Sequence, residues 1–233
     1  MKYMGSKNRF AKELLPIILK DRTKGQYYVE PFAGGMNLID KVEGNRIAND
    51  IHTELIDMWK ALVYEKWQPP ISVNEQYYND VKIAPDVFNN EEVAYIGFNS
   101  YGGKYFRGYR RDNQGKRDYW KEHYNNIMKQ VPKLKGVEFK NFSFTDLDIP
   151  KNSIIYCDPP YFGTEQYKNK FDHILFWEWV RIKSKQGNKV YVSEYNAPND
   201  FVCVWEKKHK TIMANGEVTK SKDSTERLFI YCG

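Results

Sequence analysis

A carboxylate, two prolines and a tyrosine follow one another at Asp158, Pro159, Pro160 and Tyr161, directly after the apolar segment 153–157. Consecutive prolines lack backbone N–H donors and fix φ, so the Asp158 carboxylate and the Pro159 carbonyl are left as rigid acceptors. Such a pair suits an amino group, and the Tyr161 ring offers a flat face to an aromatic heterocycle that carries one. Taken alone, the motif equally fits a rigid turn with a capping aspartate.

A glycine turn lies earlier in the chain, where Gly34 and Gly35 shortly follow the apolar segment that ends at Glu30. Paired glycines permit a tight turn and close approach of a ligand to the backbone. The turn lacks the GxGxxG pattern, which argues against a nicotinamide or flavin enzyme. Asp50 follows about 20 residues after the strand end, where a ribose diol is commonly held, and it also suits the N-cap of the next helix.

Short apolar segments alternate with segments of helical period along most of the chain. The predicted strands are 27–30, 46–49, 137–140, 153–157, 189–193, 210–213 and 227–231. Segments 51–64 and 172–185 repeat apolar residues at helical spacing, which predicts amphipathic helices. This alternation indicates an α/β fold with a doubly wound sheet, in which ligands bind beyond the carboxyl ends of the strands.

The alternation stops between residues 65 and 135, which predicts an inserted domain within a catalytic domain formed by 1–64 and 136–233. Segment 100–122 holds seven basic and three acidic residues with interleaved aromatics. This composition suits a surface that follows phosphates and stacks on bases, although a solvated basic face shares it. The residues of this segment that are predicted to contact nucleic acid are Tyr105, Arg107, Arg110, Arg111, Lys116 and Arg117.

Composition excludes several classes of protein. The 233 residues carry a formal net charge of +6 with charges of both signs, which argues against disorder and allows one domain with an insertion. Apolar runs are far shorter than the ~20 residues of a membrane span, and the chain starts without an apolar h-region, so a soluble cytoplasmic protein is expected. Three cysteines without CxxC spacing and four scattered histidines argue against a disulfide framework or a metal site.

In their order and separation, segments 2–7, 30–35, 48–51 and 157–161 resemble the D12 class of DNA adenine-N6 methyltransferases, the Dam-like group. The first is an aromatic-x-Gly-x-Lys segment, and the last contains the D-P-P-Y motif. The resemblance runs through essentially the whole chain. It implies a Rossmann-like, S-adenosylmethionine-dependent methyltransferase sheet with an inserted, mainly helical DNA-recognition domain, and double-stranded DNA as the partner.

The resemblance also implies roles for residues that line one cleft in the family. Asp158, Pro159 and Tyr161 match the catalytic positions. The loop before the last strand resembles a family feature, which implies that Asn215 and Lys220 contact DNA. The positions implied to contact S-adenosylmethionine are Tyr3, Lys7, Glu30, Phe32, Gly34, Gly35, Asp50, Phe142 and Asp158. The match at Phe142 is loose, because an acidic residue is common in that segment. No metal is implied, and the existence of a companion restriction nuclease is left open.

The implied reaction is direct in-line attack by adenine N6 on the donor methyl group after base flipping. The same acceptors would serve cytosine N4, adenine in RNA or the amide of a protein glutamine. Asp158, where the glutamine enzymes usually carry Asn, and the basic aromatic insertion both favour adenine in DNA. A catalytically silent DNA-binding module of the same fold is the alternative from another class. Cys157 lies within the apolar strand, so a core thiol is expected rather than a nucleophile.

Overall fold

The computed structural model describes residues 1–162, 171–215 and 218–233, with the backbone alone in 210–215 and 218–223. Its helices in these ranges are Ala11–Ile18 (α1), Thr53–Val63 (α2), Glu75–Ile83 (α3), Asn90–Phe98 (α4), Tyr119–Gln130 (α5) and His173–Lys185 (α6). Its strands are Tyr28–Glu30 (β1), Arg46–Asn49 (β2), Val137–Lys140 (β3), Ile154–Cys157 (β4), Lys189–Glu194 (β5), Phe201–Asn215 (β6) and Val218–Tyr231 (β7). Short 3₁₀ helices are formed by Lys7–Phe10, Ile39–Lys41, Pro85–Val87, Tyr101–Gly103 and Val131–Leu134.

The strands form a seven-stranded sheet in the order β3-β2-β1-β4-β5-β7-β6. Strand β4 pairs in parallel with β1 and β5, and β2 pairs in parallel with β3, whereas β7 is antiparallel to both β5 and β6. Every residue of β1, β2 and β4 is buried, as expected for parallel strands covered on both faces. The predicted α/β fold with a Rossmann-like sheet is confirmed.

The last two strands are longer than the sequence predicts. The sequence predicts strands over 210–213 and 227–231, whereas β6 begins at Phe201, β7 begins at Val218, and the two pair over most of their length as one ribbon. Hydrophobic periodicity identifies strands that bury one face, and it does not detect a ribbon rich in lysine and serine. The predicted strands 210–213 and 227–231 are therefore both too short.

The chain divides into two compact units. The first consists of Met1–Ala11 and Phe32–Leu147, and the second of Lys12–Pro31 and Asp148–Gly233. The segment 65–135 lies in the first unit and holds α3, α4 and α5. Two of these helices begin at capping side chains, since Asn74 accepts from the amide of Tyr77 at α3 and Asp118 from that of Lys121 at α5. The assignment of 65–135 as a separate DNA-recognition domain stays a prediction.

We expect acid to destabilise the first unit through His123. This side chain is buried on α5, with Nε2 3.0 Å from the carbonyl oxygen of Tyr95, and burial lowers its pKa from 6.5 to about 3. The unfolded chain therefore binds more protons than the folded chain between these values, and stability falls as pH falls through 6.5. The histidine should cost about 3 kcal/mol of unfolding free energy between pH 7 and pH 4.

Denaturant unfolding of His123→Gln at both pH values tests this expectation. The amide can still donate to the Tyr95 carbonyl and does not titrate, so the variant should lose less stability on acidification than the wild type. His209→Gln, at a half-exposed residue of β6, controls for the loss of a histidine. Equal acid sensitivity in His123→Gln and the wild type would contradict the assignment.

Candidate cofactor and base sites

Tyr3 packs directly on the glycine turn in the first unit. A Cβ atom on Gly34 would lie 2.7 Å from Cε1 of Tyr3, and one on Gly35 would lie 2.6 Å from Cβ of Tyr3. Gly34 also adopts a φ of +47°, which side chains rarely tolerate. The ring of Tyr3 continues to Phe98, with 5.2 Å between ring centroids. The structure thus brings together three segments, at Tyr3, at Gly34 and Gly35, and at Phe98, that are far apart in the sequence.

Asp50 ties the end of β2 to the same turn. Its Oδ2 accepts a hydrogen bond of 2.9 Å from the amide of Gly34, and its Oδ1 accepts one of 3.0 Å from the amide of His52. Burial raises the pKa of Asp50, and these backbone donors oppose that shift. A carboxylate has about four acceptor sites, so two backbone donors leave capacity for a ligand hydroxyl. Helix α2 begins at Thr53 with His52 as its N-cap residue and without a side-chain cap, so the prediction that Asp50 is the N-cap is wrong. A role of Asp50 in binding a ribose diol stays a prediction.

Asn49 anchors the segment that contains Phe142. Its Oδ1 accepts from the amide of Phe142 at 2.9 Å, and its Nδ2 donates to the carbonyl of Phe142 at 3.0 Å. Asn141 donates to the backbone oxygen of Asp50 at 2.8 Å. Phe142 is half exposed and Ile51 is largely exposed, so apolar side chains accompany the polar anchors. Asn49 was not predicted from the sequence to be part of the site. The signal that could have identified it is a polar residue inside a buried strand.

The remaining predicted cofactor residues occupy defined places. Lys7 is buried, and its Nζ donates to the carbonyl of Gly5 at 3.1 Å. The ring of Phe32 lies 5.4 Å from that of Phe144. In the second unit, Glu30 is buried at the end of β1 and accepts from the hydroxyl of Tyr28 at 2.9 Å. Contacts between these residues and a cofactor stay predictions.

The Asp158–Tyr161 motif follows β4 in the second unit. Pro159 is buried, whereas Asp158 and Tyr161 are partly exposed. The hydroxyl of Tyr161 donates to Oε1 of Glu226, and its ring meets the ring of Tyr195 edge-on at a centroid distance of 4.7 Å. Burial, reinforced by the Asp158 and Glu226 carboxylates, raises the pKa of Tyr161, so its hydroxyl keeps its proton. A flat ring with a fixed orientation therefore lies three residues after the aspartate.

Glu194 and Glu226 were not predicted from the sequence. Glu194 ends β5 and accepts hydrogen bonds from the amides of Tyr195 and Phe162 at 2.7 and 3.1 Å. Burial raises its pKa to about 7, and the carboxylates of Asp158 and Glu226 add to that effect. The available signal was the position of Glu194 at the carboxyl end of a strand, where ligands of α/β sheets bind.

Cys157 is fully buried in β4. Burial raises the pKa of its thiol well above the ordinary value, and the Asp158 and Glu30 carboxylates act in the same direction. A thiolate is therefore strongly disfavoured, as expected for a core thiol rather than a nucleophile.

The predicted DNA-contacting arginines of the first unit differ in their partners. Arg111 and Arg117 form bidentate ion pairs with Glu75 and Glu122, respectively. The guanidinium of Arg110 lies 3.9 Å from the ring centroid of Tyr119. Arg107 and Lys116 are exposed, as are Arg111 and Arg117. A phosphate would therefore compete with an existing carboxylate at Arg111 and Arg117.

Tyr105 lies in an aromatic cluster. Its ring centroid is 4.9 Å from that of Phe98, 4.7 Å from that of Phe106 and 4.6 Å from that of His52. Burial raises its pKa, which is consistent with a packed side chain. Because Phe98 also touches Tyr3, the cluster joins segment 100–122 to the glycine turn. A DNA contact by Tyr105 stays a prediction.

The last two predicted DNA-contacting residues are Asn215 and Lys220, whose side chains lie outside the described part of the structure. Within the described part of the chain, no cluster of His, Cys, Asp and Glu has the composition to hold a metal ion. No helix found there has the length and apolarity needed to cross a membrane.

A family model described as "D12 class N6 adenine-specific DNA methyltransferase" matches residues 3–95 and 93–224. The type II methyltransferase M.FokI of Planomicrobium okeanokoites is 22% identical over 269 residues, which cover 97% of this chain and 41% of that protein. The chain thus spans about two fifths of the length of this relative.

Solved structures are similar only at a coarse level. The tRNA (m1A58) methyltransferase TrmI from Aquifex aeolicus gives a TM-score of 0.41 at 12% identity, covering 99% of this chain and 70% of that one. Precorrin 8W decarboxylase from Methanobacterium thermoautotrophicum gives 0.42 at 9% identity, covering 97% and 89%. The fold is therefore assigned from the strand order and the family match, and not from these superpositions.

Proposed function

The chain belongs to the D12 class N6 adenine-specific DNA methyltransferase family, and we propose that it transfers a methyl group from S-adenosylmethionine to the exocyclic N6 of adenine in DNA. The observation that carries the proposal is the Asp158–Tyr161 motif. It directly follows the buried parallel strand β4, and the ring of its Tyr161 has a fixed orientation. Rigid acceptors followed by an aromatic face suit a flat base that bears an amino group.

The glycine turn fits the methyl donor. Side chains at Gly34 and Gly35 would collide with Tyr3, so the turn requires glycine for Tyr3 to pack on it. The predicted contact of Tyr3 with the cofactor therefore depends on both glycines. Asp50 has the acceptor capacity for ribose hydroxyls, and the exposed Ile51 and Phe142 offer apolar surface to an adenine ring. Tyr3, Lys7, Glu30, Phe32, Gly34, Gly35, Asp50, Phe142 and Asp158 remain the residues we propose to contact it. When bound, S-adenosylmethionine supplies an electrophilic methyl group.

The residues of the chain position and polarise the amine. Adenine N6 is a poor nucleophile because its lone pair is delocalised into the ring. Hydrogen bonds from its two N–H groups to the Asp158 carboxylate and the Pro159 carbonyl would favour a pyramidal, electron-rich nitrogen. The carboxylate also stabilises the positive charge that develops on nitrogen, so catalysis comes from positioning and electrostatics without a covalent enzyme intermediate.

We also propose that the target base is flipped out of the duplex before methyl transfer. An amine inside a duplex is out of reach, and extrusion of the base costs a few kcal/mol of unstacking and unpairing. Stacking on the Tyr161 ring offsets part of this cost, since base–aromatic stacking contributes about 1–3 kcal/mol per base. Double-stranded DNA is the proposed partner. Restriction–modification is the setting suggested by the name of M.FokI, a type II methyltransferase.

Methyl transfer from labelled S-adenosylmethionine to unmethylated duplex DNA, followed by mass spectrometry of the nucleosides, tests the proposal. N6-methyladenine is the expected product, and sequencing of the modified sites identifies the target. N4-methylcytosine would support the cofactor assignment and contradict the assignment of adenine as the target base. Cofactor binding without transfer to DNA would contradict the proposed activity and favour a silent module or another substrate.

A salt titration tests the proposed DNA surface. Substitution of Arg107, Arg110 and Arg111 by glutamine should weaken DNA binding and lower the slope of log affinity against log salt by about 0.9 for each phosphate that the variant no longer neutralises. Glu75→Gln should strengthen DNA binding and increase this slope, because it releases Arg111 from its ion pair. Lys24→Gln, at an exposed residue of the second unit, is the control. An unchanged slope in the arginine variant would show that DNA binds to another surface.

A further inference from the structure

A buried carboxylate holds the hydroxyl of Tyr161. Glu226 lies on β7 with 4% of its surface exposed, and its Oε1 accepts the hydrogen bond from this hydroxyl. The two residues are 65 positions apart in the chain. A carboxylate is costly to bury unless it is hydrogen-bonded, so the contact stabilises both side chains in their observed positions.

Glu194, the last residue of β5, and Tyr195, which follows it, also restrain Tyr161. The ring of Tyr195 meets that of Tyr161 at 86°, an edge-to-face arrangement that aromatic pairs favour. Glu194 accepts from the amide of Phe162, the residue directly after Tyr161. Strands β5 and β7 pair with each other, and Glu194 stands opposite Arg227, the neighbour of Glu226. Tyr161 is therefore restrained at its hydroxyl by β7, at the following peptide by the end of β5, and at its ring by the residue after β5.

We propose that Glu226 is a positioning residue for base capture, because its carboxylate fixes the Tyr161 ring in the orientation on which an extruded base stacks. This inference rests on the proposed function, in which the base stacks on Tyr161. A ring released at its hydroxyl gains rotamer freedom, and a base must then order the ring as it binds. Loss of Glu226 therefore weakens capture of the base and leaves affinity for the cofactor unchanged.

Fluorescence of 2-aminopurine, placed at the target adenine found by sequencing the wild-type product, reports base extrusion without methyl transfer. In complexes with S-adenosylhomocysteine, Glu226→Ala should reduce the fluorescence increase at saturating DNA. Its KM for DNA should rise about tenfold, within the range that stacking of one base on an aromatic ring contributes. The Kd for S-adenosylhomocysteine should not change. Glu178→Ala, an exposed glutamate on α6, is the matched control and should behave as the wild type.

Two further variants separate positioning from a general structural role. Glu226→Gln keeps an oxygen acceptor and should restore most of the fluorescence increase. Tyr161→Phe removes the donor, so the double variant Tyr161→Phe/Glu226→Ala should be less impaired than the two single losses added together. A Glu226→Gln variant as impaired as Glu226→Ala would overturn the inference.

The outcomes distinguish this inference from the proposed function. A wild-type protein that binds DNA and cofactor without methylating adenine contradicts the proposed function. A wild-type protein that methylates adenine, with a Glu226→Ala variant of equal fluorescence increase and equal KM, contradicts the positioning role alone.

Discussion

Replacement of Asp158 by alanine is expected to abolish methyl transfer while the fold is kept. The side chain is partly exposed after β4, so its loss leaves no large cavity. The variant removes both the acceptor that orients the amine and the charge that stabilises developing positive charge on nitrogen. Loss of one preorganised electrostatic partner typically costs about 10²–10³-fold in turnover, and loss of both functions should reach or exceed that range.

Single-turnover rates with saturating cofactor and DNA measure this effect, with thermal unfolding as the check on folding. Asp158→Asn should retain partial activity, because the amide keeps one oxygen acceptor without the charge. Asp148→Ala removes an exposed carboxylate from the same unit and serves as the matched control. A folded Asp158→Ala variant with wild-type turnover would refute the mechanism.

The sequence was sufficient to locate the motif residues because each follows a strand with a strong local pattern. Strands β1, β2 and β4 are short and buried, and the residues after them include the glycine turn, Asp50 and Asp158. Ligands of parallel α/β sheets bind at such strand ends, so the motifs could be placed before any contact was known.

Long-range partners could not be read in the same way. The contact between Tyr161 and Glu226 joins residues 65 positions apart, and an isolated glutamate in a polar segment reads as solvent-exposed. The same limit applies to Arg111, whose partner Glu75 lies 36 positions away. Counting charges in 100–122 gave a correct composition, but the structure shows that part of this positive charge is already paired.

Alanine at either glycine of the turn is expected to weaken cofactor binding by at least about tenfold, which corresponds to ~1.4 kcal/mol. At Gly35 the added Cβ would meet Cβ of Tyr3 and Nδ2 of Asn37, both at 2.6 Å. At Gly34 it would meet the Tyr3 ring, and the φ of +47° adds backbone strain. Overpacking of this kind usually costs about 1–3 kcal/mol of stability. Calorimetric titration with S-adenosylhomocysteine and thermal unfolding measure the two effects.

Gly115→Ala separates the clash from backbone strain, because Gly115 has a φ of +64° and nothing within 4 Å of the added Cβ. It should lose some stability and no cofactor affinity. Combination with Tyr3→Ala then tests which atoms collide. Removal of the ring should recover stability in Gly34→Ala, whose clash is with ring atoms. It should recover little in Gly35→Ala, whose clash is with the Cβ that alanine retains. Equal recovery in both double variants would contradict the packing of Tyr3 on the turn.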